Sequence, residues 1–166
     1  MFRFTSRQGN VMKRLNWVRA IVLGLVMSTA LVMADSDEHS VTAAVSGAFD
    51  AGAELGPVAL QTMEVGTGVF LAADGSASGT FHAVLHGTAL GSSREITVEG
   101  KVSEGSIGAD GRAAFNGTAS IDLGDGTPPL PSVFFSVIAA EDGLVLVIDS
   151  TTLPAAGLTT GAITIE

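Results

Sequence analysis

From residue 40 onward, apolar side chains recur at every second position, and no long stretch shows the 3.6-residue period of an amphipathic helix. Successive side chains of an extended strand point to opposite faces, so this alternation commits the chain to half-buried sheet. Residues 113–123 state it most clearly. Ala113, Phe115, Gly117, Ala119, Ile121 and Leu123 share one face, and Ala114, Asn116, Thr118, Ser120 and Asp122 the other. In residues 95–102, Ile96, Val98, Gly100 and Val102 oppose Glu95, Thr97, Glu99 and Lys101. Residues 41–49 alternate in the same way, with Val41, Ala43, Val45 and Gly47 on the apolar side.

Turn chemistry joins these runs. Asp74-Gly75, Asp110-Gly111 and Asp142-Gly143 each separate two apolar stretches, and Asp-Gly favours a tight hairpin in which Gly takes a positive φ. Residues 50–56 read as a loop. After Pro57, residues 58–65 and 69–72 read as strand, with a bulge or turn at 66–68. Residues 132–140 and 144–148 are continuous apolar runs, which predicts central strands covered on both faces. A last strand carries Ile163 and Ile165. Together these predict an all-β domain, an antiparallel hairpin meander of about eight strands. Small residues such as Gly79, Ala83, Gly87, Gly117 and Ala119 beside isolated Phe suit the curvature of a small β-barrel, the preferred architecture; a two-sheet β-sandwich is the alternative.

The first 34 residues stand outside this pattern. Arg3, Arg7, Lys13, Arg14 and Arg19 are five of the eight Lys+Arg, and all 17 Asp+Glu come later in the chain. Between them lies an uncharged apolar run, residues 20–33, about 21 Å long as a helix and short of the ~30 Å hydrocarbon core. This is the layout of a signal helix that is removed on export, over residues 1–34, with Met12 as an alternative start and cleavage after Ala34 or Ala30. Residues 35–39 then form a mobile acidic lead-in, and residues 40–166 a single β-domain. No stable membrane anchor is expected after cleavage. The expected destination is the periplasm, the cell surface or the medium, in a bacterial setting.

Composition narrows the functions. After the leader only Arg94, Lys101 and Arg112 are basic, so the acidic surface repels phosphate backbones and nucleic-acid binding is not expected. The chain has no Cys, which removes disulfides, thiolate catalysis and cysteine-ligated zinc. It has no Tyr, and its one Trp, Trp17, belongs to the leader, so the usual aromatic anchors of glycan and protein recognition are missing from the domain.

Candidate chemistry is sparse. His82 and His86 stand four apart, but on a strand that separation is about 13 Å, too long for both to hold one ion. Asp122 and Asp125, in the Gly- and Pro-rich loop at 123–131, are the best candidate Ca²⁺ ligands, although their spacing matches no full calcium loop. No other cofactor is expected, no catalytic residue is assigned, and enzymatic activity is not the expected role. Phe70, Phe81 and Phe115 are the candidate lining of an interior site. The expected function is therefore an exported, non-enzymatic β-domain with a structural or surface-interaction role, including homotypic association through a strand edge. The first alternative is a small barrel carrying an apolar small molecule inside; the second is a hydrolase or isomerase on a barrel scaffold.

Overall fold

The alternating pattern becomes ten strands, all paired antiparallel, in a computed structural model that describes residues 38–166. The expected signal helix and residues 35–37 of the lead-in lie outside the described residues. The strands are β1 (His39–Ala48), β2 (Glu54–Leu55), β3 (Val58–Leu71), β4 (Ser76–Ala89), β5 (Ser92–Ile107), β6 (Ala113–Asp122), β7 (Leu130–Ala140), β8 (Gly143–Ile148), β9 (Thr151–Thr152) and β10 (Ala156–Ile165). His39, assigned from sequence to the lead-in, instead opens β1 opposite Leu71.

From β3 to β8 each strand pairs with the next in sequence, the order of a meander. β9 and the start of β10 both pair with β8, through Ile148↔Thr151, Val147↔Thr152, Ala156↔Leu144 and Gly157↔Gly143. β10 then runs on alone past the β7–β8 hairpin and pairs with β1 from Gly157 to Ile165. β1 in turn pairs with β3 along its whole length, from His39↔Leu71 to Ala48↔Thr62. The path of pairings thus returns to its start. Ser40 and Glu166 exchange both backbone hydrogen bonds, at 2.8 and 2.9 Å, so the even-numbered residues of β1 bond toward β10 and the odd-numbered ones toward β3.

The long strands bury apolar side chains on one face, β7 only from Phe135 onward and β10 only near its two ends. Val41, Ala43 and Val45 of β1, Ile96, Val98 and Val102 of β5, and Phe115, Ala119 and Ile121 of β6 all point into one core. Its largest members are Phe81, Phe115 and Phe135, each no more than 2 % exposed. The rings of Phe81 and Phe135 stack at 5.2 Å, and Phe115 meets Phe81 edge-on at 6.2 Å. Glycine makes room for them: Phe81 is registered with Gly100, Phe135 with Gly117 and Phe115 with Gly105. The Phe135 ring lies so close to Gly100 that a β-carbon there would sit 2.6 Å from it.

Three sequence expectations need correction. β3 is continuous through Gly66 and Gly68, both of which face outward, so there is no turn at 66–68. β7 and β8 are not covered on both faces: Phe135, Val137 and Ala139 are buried, whereas Phe134 and Ile138 are exposed. Their outward side chains are apolar without being core. At the third Asp-Gly, Gly143 already pairs with Ala140, and the turn is made by Glu141 and Asp142; none of these three has a positive φ. Gly75 and Gly111 do, at 86° and 77°. An unforeseen two-residue turn is Leu90-Gly91, where both residues have positive φ, 51° and 80°.

Candidate interaction surface

Four places in the described residues bear on function: the interior, the His-bearing outer face, the β6–β7 loop and the remaining outer wall.

The interior gathers two of the three expected lining residues and not the third. Phe81 and Phe115 meet in the core, but Phe70 lies on the outer face of β3 and is 68 % exposed. No polar or charged residue is buried among the described residues, and no buried side-chain polar atom lacks a partner. Ligand sites ordinarily place a few polar groups inside an apolar wall to fix orientation. Here Phe81, Phe115 and Phe135 pack ring against ring, and no polar or charged residue of those described is buried with them.

His82 and His86 both face outward on β4, as the strand reading required. His86 lies between carboxylates of two neighbouring strands, with Glu64 of β3 at 4.0 Å and Glu95 of β5 at 3.9 Å. His82 is registered with Glu99 and Gly66. Among the described residues no three His, Asp or Glu converge in an arrangement that would hold a metal ion. The face is a ladder of exposed cross-strand charges, of the kind that stabilises sheet pairing weakly.

In the β6–β7 loop, the carboxylates of Asp122 and Asp125 serve the loop itself. The amide of Gly124 donates to Asp122 Oδ1 at 2.9 Å, and the amide and hydroxyl of Thr127 donate to Asp125 Oδ1 at 2.9 and 2.6 Å. Arg94 Nη1 donates to the Gly124 carbonyl at 3.0 Å. The Thr127 hydroxyl first, then its amide, holds the Asp125 carboxyl below its ordinary value, and the nearby Arg94 charge adds to this. A guanidinium at the loop opposes a divalent cation, and the hydrogen bonds already given to these oxygens account for their placement.

The outer wall divides into two halves. On β3, β4 and β5 the outward side chains include Glu64, His82, His86, Glu95, Glu99, Lys101 and Glu104. Along the adjoining β6, β7, β8, β10 and β1, the outward positions are uncharged from Ala114 to Ser120, throughout β7 and β8, throughout β10, and from Ser40 to Ala48. Phe134 and Ile138 of β7 are large apolar side chains that this half exposes beside β6 and β8, at 47 % and 44 %. Ile138 is registered with half-buried Val145 of β8 and with exposed Ala114 of β6, and half-buried Val147 lies one pleat along. A solvent-open groove of about 710 Å³ runs from Ile138 and Val145 to Leu158 and Thr159 of β10, and its lining also includes Phe49 and the charged Asp50, Arg112 and Asp142. Among the described residues, no strand pairs with the second edge of β10 from Leu158 to Ile165.

Sequence reading passed over this wall because it scored residues 132–140 as core. The usable signal was the lack of charge at the outward positions from Ala114 to Ser120 and throughout residues 130–140 and 143–148, in an otherwise acidic domain. The described fold defines the class of protein: an antiparallel β-meander with an apolar core and an outer surface divided by charge. No family model, curated protein or solved structure matches the chain.

Proposed function

We propose that this chain is an exported, non-catalytic β-barrel domain that acts through its outer wall rather than through an interior site. The barrel reading rests on the circuit of pairings, in which β1 bonds to β10 on one side and to β3 on the other. The circuit pairs β1 and β3 to β8 on both sides along most of their length and leaves the second edge of β10 free from Leu158 to Ile165, free edges being the usual liability of an all-β protein. The observation that carries the functional reading is the filled core. Phe81, Phe115 and Phe135 pack ring against ring, with no polar group among them to orient a guest. A carrier of the drug-sized type needs an interior of about 300 Å³ or more, and stacked rings occupy that position here.

The outward charges argue for an aqueous setting. A barrel that spans a membrane turns an apolar band outward, whereas β3, β4 and β5 turn out glutamates, histidines and a lysine at mid-strand. Export is part of the proposal on the charge layout of the leader, and it places the domain in the periplasm, at the cell surface or in the medium. The uncharged outward positions around Phe134 and Ile138 are then the natural contact surface, since charged residues are depleted at the centres of protein interfaces.

Native mass spectrometry of protein taken from its own host, after treatment with a chelator, tests the reading. The expected mass is that of the polypeptide from about Asp35 onward with no small molecule attached. A stoichiometric apolar molecule that survives chelation would overturn the outer-wall reading in favour of the carrier. Recovery of residues 12–34 in the envelope protein would overturn export by cleavage.

A further inference from the structure

We infer that the free edge of β10, from Leu158 to Ile165, is a strand-addition site for an extended polypeptide segment that carries lysine or arginine. The inference goes beyond the outer-wall reading and does not depend on it, because it concerns backbone groups at a gap in the circuit of pairings rather than side chains on the wall.

β10 meets β8 only through Ala156↔Leu144 and Gly157↔Gly143, and then runs past the Glu141-Asp142 turn with β1 as its one partner among the described residues. The pair of hydrogen bonds between Ser40 and Glu166 sets the phase of that pairing. Ala162 and Thr164 therefore bond toward β1, and Ile163 and Ile165 turn their amides and carbonyls to the other edge. Nothing along the strand protects that edge. Leu158 to Ile165 contain no Pro and no charged residue, and Thr159, Thr160, Ile163, Thr164 and Ile165 favour extended backbone. A bare edge of this kind is a template for one more strand, whose main chain supplies the hydrogen bonds.

The surroundings say which strand. Two solvent-open grooves, of about 710 and about 750 Å³, reach β10 at opposite ends of the free edge, one at Leu158 and Thr159 and the other at Ile165 and Glu166. Both are lined by Arg112, Ala140 and Asp142, so they adjoin. Their charge is acidic. Asp50, Asp110, Glu141, Asp142 and Glu166 stand against Arg112 and His39, and Arg112 Nε already lies 3.6 Å from Asp110 Oδ2. Such a rim draws cationic side chains and repels anionic ones. A second copy of this chain would bring the same carboxylates beside its own bare edge, and β10 has no basic residue to offset them. The occupant is therefore a different polypeptide, extended and basic.

Amide hydrogen exchange followed by NMR, on the protein isolated from its host, tests the site with a capped peptide of alternating lysine and valine as probe. Without peptide, Ile163 and Ile165 should exchange faster than Ala162 and Thr164, which β1 holds. With peptide at about ten times its dissociation constant, the two isoleucine amides should slow about tenfold, and the affinity should fall as salt rises. The same peptide with glutamate in place of lysine should give no slowing. Glu141→Gln combined with Asp142→Asn, at two exposed turn residues, should raise the dissociation constant about three- to tenfold and leave circular dichroism unchanged. Slow exchange of Ile163 and Ile165 before any peptide is added, in a monomer or in a dimer, would overturn the proposal, since the edge would already be covered. Failure of the lysine peptide to bind at about 1 mM would overturn it too, as would binding that leaves those two amides unchanged, or equal binding of the glutamate peptide.

Discussion

Phe115 and Thr118 stand three residues apart on β6 and face opposite ways, the first 2 % exposed and in the core, the second exposed and registered with Phe134. Phe115→Ala removes a ring that packs edge-on against Phe81, and should cost about 3–5 kcal/mol in denaturant unfolding. Thr118→Ala should cost under about 0.5 kcal/mol, the ordinary surface value; the reverse ranking would mean that the face assignment is wrong. A second residue-scale effect concerns acid. The Ser76 hydroxyl and amide donate to Asp74 Oδ1 at 2.6 and 2.9 Å, and these two bonds, the hydroxyl's first, hold the Asp74 carboxyl below the ordinary value of 3.8. Because the folded value is the lower one, the turn's contribution to stability is fully present above the unfolded value. It is lost as pH falls through the folded value. Ser76→Ala should therefore move the Asp74 titration, followed by carboxyl NMR, back up toward 3.8, and no movement would show that the hydroxyl is not the cause. The alternation of residues 95–102 and 113–122 was legible at this scale because a period of two leaves only one register with the apolar set inside.

Turns mark the limit of what elements reveal from local sequence. Three Asp-Gly pairs look alike, yet Gly111 has φ 77° in the β5–β6 turn while Gly143 is already a strand residue paired with Ala140. Gly111→Val should destabilise by about 1–3 kcal/mol through backbone strain. Gly143→Val should cost much less, because its φ is ordinary and a β-carbon there meets only the Ala156 carbonyl at 3.6 Å. Equal midpoints for the two variants in urea would contradict the difference. Leu90-Gly91 was missed for the opposite reason: Leu seldom takes the left-handed region, and here an exposed Leu90 does so because Ala89 and Ser92 pair directly across it. The apolar runs of β7 and β8 were misread as doubly covered because hydrophobicity alone cannot tell a second buried face from an exposed contact face.

At the scale of the whole molecule, the all-β class and the antiparallel meander were legible, since each hairpin is a local event with its own turn and pattern. Which strand meets β1 was not. Its partners, β10 and β3, lie one at the far end of the chain and one beyond a loop, and nothing in the residues of β1 names either. The same holds for the divided outer wall, which exists only once β1 and β10 lie beside β8, β7 and β6. It is also why Phe70, Phe81 and Phe115 looked equivalent in sequence, although pairing sends Phe70 outward. The proposed barrel, with its working surface outside, rests on β1 bonding to β3 on one side and β10 on the other, and amide hydrogen exchange of β1 tests it most directly. The odd-numbered residues Val41, Ala43 and Val45 bond toward β3, and the even-numbered Thr42, Ala44 and Ser46 toward β10. A closed sheet predicts that both sets exchange only through global unfolding, with the same protection as the β4–β5 core. Rapid exchange of either alternate set, with the other protected, would contradict closure: β1 would then be an edge strand, and the sheet would be open.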